Sequence, residues 1–143
     1  MITLMNIRTF KESDRAAVIE LWAACDLTRP WNDPNKDIDR KVDFQPDLFF
    51  VGLLDSKLIA SAMAGYDGHR GSVFYLAIHP DFQGKGYGQI LMTHIENTLV
   101  DLGCPKLNIV VRNTNDGVLT FYDSLEYVTD PVVSIGKRLI SDT

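Results

Sequence analysis

Apolar and polar residues alternate from Ile2 to Arg8, the period-two pattern of a strand with one buried face. The period then lengthens: Ala17, Val18, Leu21 and Trp22 recur at helical spacing behind Ser13, a residue that can cap a helix start. Thr28 to Asn32 reads as an irregular loop. Asp33-Pro34, a cap followed by proline at the first helical position, opens a short helix to Asp43. Leu48 to Leu54 and Leu58 to Tyr66 are apolar runs around Asp55-Ser56-Lys57, the pattern of a hairpin. The polar turn Asp67-Gly68-His69-Arg70-Gly71 leads into a strand from Ser72 to His79. Ile90, Leu91, Ile95 and Leu99 mark a long helix from Tyr87 or Gly88 to Leu102. Lys106 to Val111 reads as a strand, Asp116 to Leu125 as a helix and Val132 to Leu139 as a last strand. The predicted order is β-α-α-β-β-β-α-β-α-β, an α/β chain with one mixed central sheet flanked by helices. No repeat, low-complexity tract or linker divides it, so residues 1–143 are expected to form a single domain.

Composition narrows the class. A chain of 143 residues with 45% hydrophobic and 23% charged positions can bury a core without disulfide or metal staples. A net charge of -5 leaves no basic stripe to displace counterions, which argues against a nucleic-acid partner and leans mildly toward cationic substrates. Cys25 and Cys104 have no metal-ligand spacing and read as free thiols in a reducing compartment; no metal is expected. No apolar run approaches membrane-spanning length, and the N-terminus lacks a basic segment followed by an apolar one. The expectation is a cytoplasmic protein without a membrane partner, with Met1 or Met5 as its start.

The densest chemistry lies in Gln83-Gly84-Lys85-Gly86-Tyr87-Gly88, between an apolar strand and a helix. Glycines let backbone amides converge on an anion, and the following helix adds its unpaired N-terminal amides and the positive end of its dipole. A dinucleotide fold would require G-x-G-x-x-G after the first strand, and a P-loop would require Ser or Thr after the lysine; neither is present. A glycine-rich turn without a ligand is the bland alternative.

The loop has company. Read as Gln83-x-x-Gly86-x-Gly88 after Leu76-Ala77-Ile78-His79-Pro80, it resembles the acetyl-CoA signature of the GNAT N-acetyltransferases. Asn113-x-Asn115 and then Phe121-Tyr122-x-x-Leu125-Glu126-Tyr127 resemble that family's second signature at its usual spacing, and the element order is also similar. Segments Cys25 to Pro34 and Gly65 to Gly71 look like those of small bacterial members. The resemblance covers nearly the whole chain and implies the GNAT (acyl-CoA N-acyltransferase) fold.

It further implies acetyl-CoA as co-substrate and transfer of its acetyl group to a primary amine, by direct attack, on a small-molecule or peptide acceptor. The amides from Gly84 to Gln89, with Lys85, Tyr87 and Gly88 between, would wrap the pyrophosphate, and Leu76, Ala77 and Ile78 would line the pantetheine arm. Asn115 matches a position that meets that arm, although an asparagine there also suits a helix cap. An oxyanion would meet a backbone amide near Ala77 or Ile78. Tyr122 matches the general acid; a phenol with an ordinary pKa near ~10 is protonated at neutral pH. The alternative is that Tyr122 only packs a helix face.

The general base stays open. Val110 stands where some relatives carry glutamate, so Asp67 and His69, and beyond them Asp26 and Asp33, are candidates, while His79 reads as structural. Glu126 replaces the family's helix-terminating glycine, so that helix is expected to end differently. Asp26, Arg29, Trp31 and Asp33 crowd the acceptor side, with Tyr66 and Arg70 at its rim; Trp31 suits an aromatic wall, or else anchors a loop beside an Arg29–Asp33 pair. The family is compatible with a homodimer. A catalytically inactive acyl-CoA-binding sensor on the same fold is the competing function.

Overall fold

The computed structural model describes residues 4–143, so Ile2 and the start of the first predicted strand lie outside the described residues. The chain runs β1 (Asn6–Thr9), α1 (Arg15–Ala24), α2 (Pro34–Asp43), β2 (Phe49–Leu54), β3 (Lys57–Tyr66), β4 (Gly71–Ile78), α3 (Tyr87–Asp101), β5 (Leu107–Asn108) and α4 (Asp116–Ser124). The sheet order is β1-β2-β3-β4-β5, antiparallel until β5 joins β4 in parallel. Strand alternation divides the core between the two faces. Phe49 and Val51 join Val18, Leu21, Trp22 and Ile38 under α1 and α2. Phe50 joins Leu91, Met92, Ile95, Leu99 and Tyr122 under α3 and α4.

Local chemistry explains most element ends. Asp33 Oδ1 accepts the Asn35 amide at 2.9 Å and Pro34 follows it, so α2 begins where the Asp-Pro pair predicts. The helix start near Ser13 differs from expectation: Asp14, not Ser13, organises it, accepting the Lys11 amide at 2.8 Å and pairing with Arg8 at 2.8 Å. The β2–β3 hairpin turns on Asp55 and Ser56, both at positive φ (47° and 71°), the twist that two-residue hairpins need.

Three expectations fail at the C-terminal side. The strand predicted over Lys106 to Val111 pairs only at Leu107–Asn108, because β4 and the chain after Asn108 diverge. The strand predicted over Val132 to Leu139 does not form; a strand exists only with a ladder to join, and its Val132, Val133, Ile135 and Leu139 are 74–91% exposed. The end of α4 was expected to depart from the glycine-type stop and does not. Glu126 sits at φ 71°, the Glu126 amide bonds the Asp123 carbonyl and the Tyr127 amide bonds the Tyr122 carbonyl, which is a Schellman termination built on a residue with a Cβ. Glu126→Gly is therefore expected to raise stability by about 0.5–1 kcal/mol, read as a higher urea midpoint at unchanged slope; an unchanged or lower midpoint would count against strain there.

Beyond α4 the chain has no regular structure, yet its end is tied down. Asp142, with a side chain only 1% exposed, accepts from Arg40 at 2.6 Å and from the Asp33 amide at 2.8 Å, and its carbonyl accepts from Lys36 at 3.1 Å. Those bonds hold its carboxyl down at about 2, the Arg40 bond first. A depressed carboxylate stabilises the fold fully above its unfolded pKa of ~3.9, and that contribution disappears as pH falls toward the folded value. The tail should thus leave the start of α2 between about pH 4 and pH 2, seen as accelerated hydrogen exchange of the Asp33 amide after correction for intrinsic rate. Equal protection at both ends of that window would rule out the tether.

Candidate active site

A bulge in β4 creates the site. Ser61 faces Ala77 and Met63 faces Phe74, so Tyr75 and Leu76 stand together opposite Ala62 alone. Tyr75 carries φ 53°, a conformation that costs a residue with a Cβ about 1–2 kcal/mol. Its surroundings over-determine it. The ring stacks on Trp22 with centroids 3.8 Å apart, and the hydroxyl donates to Asp37 at 2.6 Å. Trp22 Nε1 donates to Ser61 Oγ at 2.9 Å, which in turn donates to the Tyr75 carbonyl at 3.2 Å.

With β4 bulged, β5 leaves it after Ser72–Asn108, and a wedge opens between Tyr75 and Leu76 on one side and Ile109 to Arg112 on the other. The resulting cavity, about 740 Å³, is bordered by α2 and the α1–α2 loop and reaches Asn115, the cap of α4, and Tyr122 within it. Tyr122 is 7% exposed, and its hydroxyl makes no hydrogen bond among the described residues. No buried side-chain polar atom there lacks a partner, so the Tyr122 hydroxyl reaches the cavity's open volume. Burial pushes its pKa up to about 12, which keeps the proton on it across the neutral range. Asn115 Oδ1 caps α4 by accepting the Val118 amide at 3.2 Å while the residue also lines the cavity.

The glycine loop lies beside this wedge. Gly84 and Gly86 hold φ 75° and 90°, and a Cβ on either would meet open space, so backbone conformation rather than crowding selects glycine there. The amides of Gly84, Lys85, Gly86, Gly88 and Gln89 have no acceptor among the described residues and stand at the start of the 15-residue α3. That arrangement suits an anion. Gly88 instead answers to packing: its Cβ would fall 2.9 Å from the Phe121 ring, next to Tyr122. Gln83 donates to the Ile78 carbonyl at 2.9 Å, Lys85 lies over the Phe82 ring at 5.6 Å and Tyr87 is buried in the core.

The model of the acetyltransferase (GNAT) family matches residues 16–127, which contain the bulged strand, the loop and α4. The chain belongs to this family. The GNAT chain is 51% identical over 138 residues to an acetyltransferase of Yersinia enterocolitica and 50% identical to one of Pectobacterium atrosepticum, covering 96% of this chain and 98% of each relative. Among solved structures, Ard1 from Thermoplasma volcanium superposes with a TM-score of 0.79 at 20% identity, over 89% of this chain and 84% of that one. It is an enzyme of the acetyltransferase class, and the fold is that of the GNAT proteins.

Other residues singled out from the GNAT sequence fall in different places. Leu76 lines the cavity, whereas Ala77 is buried at 3% exposure among the α1–α2 core and Ile78 packs against the other face. Asp67 and His69 are not brought to the cavity; Asp67 accepts the His69 and Arg70 amides at 2.8 Å within the β3–β4 turn, which lowers its pKa. His79 accepts the Asp81 amide and shapes the strand end. Asp26 and Arg29 line the cavity and approach each other to 3.7 Å, in place of the alternative Arg29–Asp33 pair, and Asp33 serves as the cap of α2. Trp31 lies outside the cavity lining, 47% exposed, with Arg112 over its ring at 5.6 Å. Tyr66 and Arg70 stay with the β3–β4 turn region. Val110 is 67% exposed and carries no ionisable group.

Sequence reasoning missed Tyr75, Asp37 and Lys41, all cavity-lining. Asp37, Lys41 and Phe44 follow i, i+4, i+7 spacing behind buried Ile38, a signal that could have placed them on one face. Among the described residues no helix is long and apolar enough to cross a membrane, and no cluster of three potential metal ligands occurs.

Proposed function

We propose that this enzyme transfers acetyl from acetyl-CoA to a primary amine of a small molecule or peptide, by direct attack in a ternary complex within the β4–β5 wedge. The observation that carries the reading is Tyr122, a protonated phenol whose hydroxyl has no partner among the described residues, set in the wall of a cavity beside an anion-suited glycine loop. Acetyl-CoA supplies an activated acetyl thioester. The amides of Gly84, Lys85, Gly86, Gly88 and Gln89, which have no acceptor among the described residues, would hold its pyrophosphate, and Leu76 and Asn115 would flank the arm that reaches inward. As the amine nitrogen bonds the carbonyl carbon and the carbon–sulfur bond breaks, Tyr122 gives its proton to the departing sulfur. The amine's proton leaves through a carboxylate that lines the cavity, Asp26 or Asp37, to water, and water returns a proton to Tyr122 before the next turnover. Asp67 and His69, in the β3–β4 turn and outside the cavity lining, have no part in this reading. We read the protein as cytoplasmic.

A sensor that binds acyl-CoA without turnover is the weaker account, because binding alone gives no use to an unpartnered acid at the cavity wall. Calorimetric titration with acetyl-CoA, followed by thiol release in the presence of an amine panel, separates the two. Micromolar binding with amine-dependent thiol release is expected. Binding without release from any amine would favour the sensor, and no binding would remove the cofactor assignment.

A further inference from the structure

The acceptor side of the cavity is more specific than a generic amine site. α2 presents Asp37 and Lys41 to it one helical turn apart, where side-chain origins stand roughly 5–6 Å from each other. They do not pair. Asp37 is fixed by the Tyr75 hydroxyl at 2.6 Å and by Arg40 at 3.2 Å. Lys41 Nζ donates to the Ala64 carbonyl and, among the described residues, forms no ion pair. An ammonium has three protons to give, and a half-buried one with no counter-charge is costly, so the site is short of an anion. Desolvation alone lowers the Lys41 pKa, with no carboxylate acting to raise it. The remaining cations of the cavity are engaged: Arg29 with backbone carbonyls and Asp26, Arg40 with Asp37 and Asp142, and Arg112 over Trp31. Although the whole chain carries -5, this wall is cationic, with Arg29, Arg40, Lys41 and Arg112 against Asp26 and Asp37.

We propose that the acceptor is a small amino-carboxylate, whose amine is received beside Asp37 and whose carboxylate is received by Lys41. The inference rests on the transferase reading above and adds to it the class of acceptor. Lys41 is then a specificity residue, acting on binding rather than on the chemical step.

The test measures thiol release with the common amino acids, each set against its carboxamide and its decarboxylated amine. At least one amino acid should exceed its carboxamide in kcat/KM by about tenfold or more, the effect expected of a charge-assisted hydrogen bond. Lys41→Met should bring that ratio close to one with the loss carried by KM, whereas Lys41→Arg should retain a preference. Should Lys41→Met lose its far-UV circular dichroism, Lys41→Gln, which keeps a donor toward Ala64, takes its place. Equal or better use of carboxamides by the wild type, a preserved ratio in the neutral variant, or acetyl-CoA binding with no transfer to any amino acid would each overturn the proposal. Transfer confined to amines without an anion would remove this inference and leave the transferase reading standing; absence of acetyl-CoA binding would remove both.

Discussion

Tyr122→Phe is expected to lower kcat by about 100-fold or more while acetyl-CoA affinity stays within about twofold of wild type. The reasoning begins with burial. Phenylalanine keeps the ring contacts with Phe121 and Tyr127, at 5.0 and 5.6 Å between centroids, so the packing of α4 survives. Only the hydroxyl is lost, and among the described residues it has no partner that its removal would leave unsatisfied. A stability change would therefore be small, and a kinetic change would report on proton donation. The raised pKa of about 12 adds a second signature: the rate should show no descending limb near tyrosine's ordinary ~10. Equal turnover by both proteins on an identified acceptor would show that the thiolate finds its proton elsewhere.

Gly86→Asp is expected to weaken acetyl-CoA binding by about 100-fold or more with the fold retained. Two opposing local effects bear on stability. A side chain at φ 90° is strained, but aspartate is among the residues that tolerate positive φ, and at the cap of α3 its carboxylate complements the helix dipole. That same carboxylate would satisfy the amides proposed to hold the pyrophosphate and repel its charge. Gly86→Ala shares the strain without the charge and should lose far less affinity. If alanine and aspartate weakened binding equally, conformation and not anion recognition would be the loop's role.

Much of the architecture was legible because its signals are local. Asp33-Pro34 marks a helix start with chemistry confined to three residues, and the apolar periods of β2, β3 and α3 each identify a buried face without reference to a partner. The glycine loop was legible for the same reason, since φ 75° and 90° at Gly84 and Gly86 are conformations that announce themselves in residue type. The failures are non-local. Tyr75 adopts positive φ only because Trp22, Ser61 and Asp37, from three other elements, hold it there, and no glycine advertises the bulge. The strand predicted from Val132 had the right alternation but no ladder to complete it. Glu126 hid a left-handed stop behind a side chain. Lys41 and Asp37 were not singled out, because their role depends on the packing of α2 against β3 and β4, which turns them inward.

The tail that ends at Asp142 also sets an order of assembly. Its bond to the Asp33 amide joins positions 109 apart in the chain, whereas β2, β3 and β4 meet as successive neighbours through short turns. Closing a long loop has an entropic cost that only prior structure can offset, so the meander is expected to form early and the bond between chain end and α2 late. In pulse-labelled refolding, the Asp33 amide should therefore gain protection after the amides of β3. Simultaneous protection would mean that α2 is fastened together with the sheet; a lag would mean that the enzyme passes through a stage with its sheet complete and the start of α2 still unfastened.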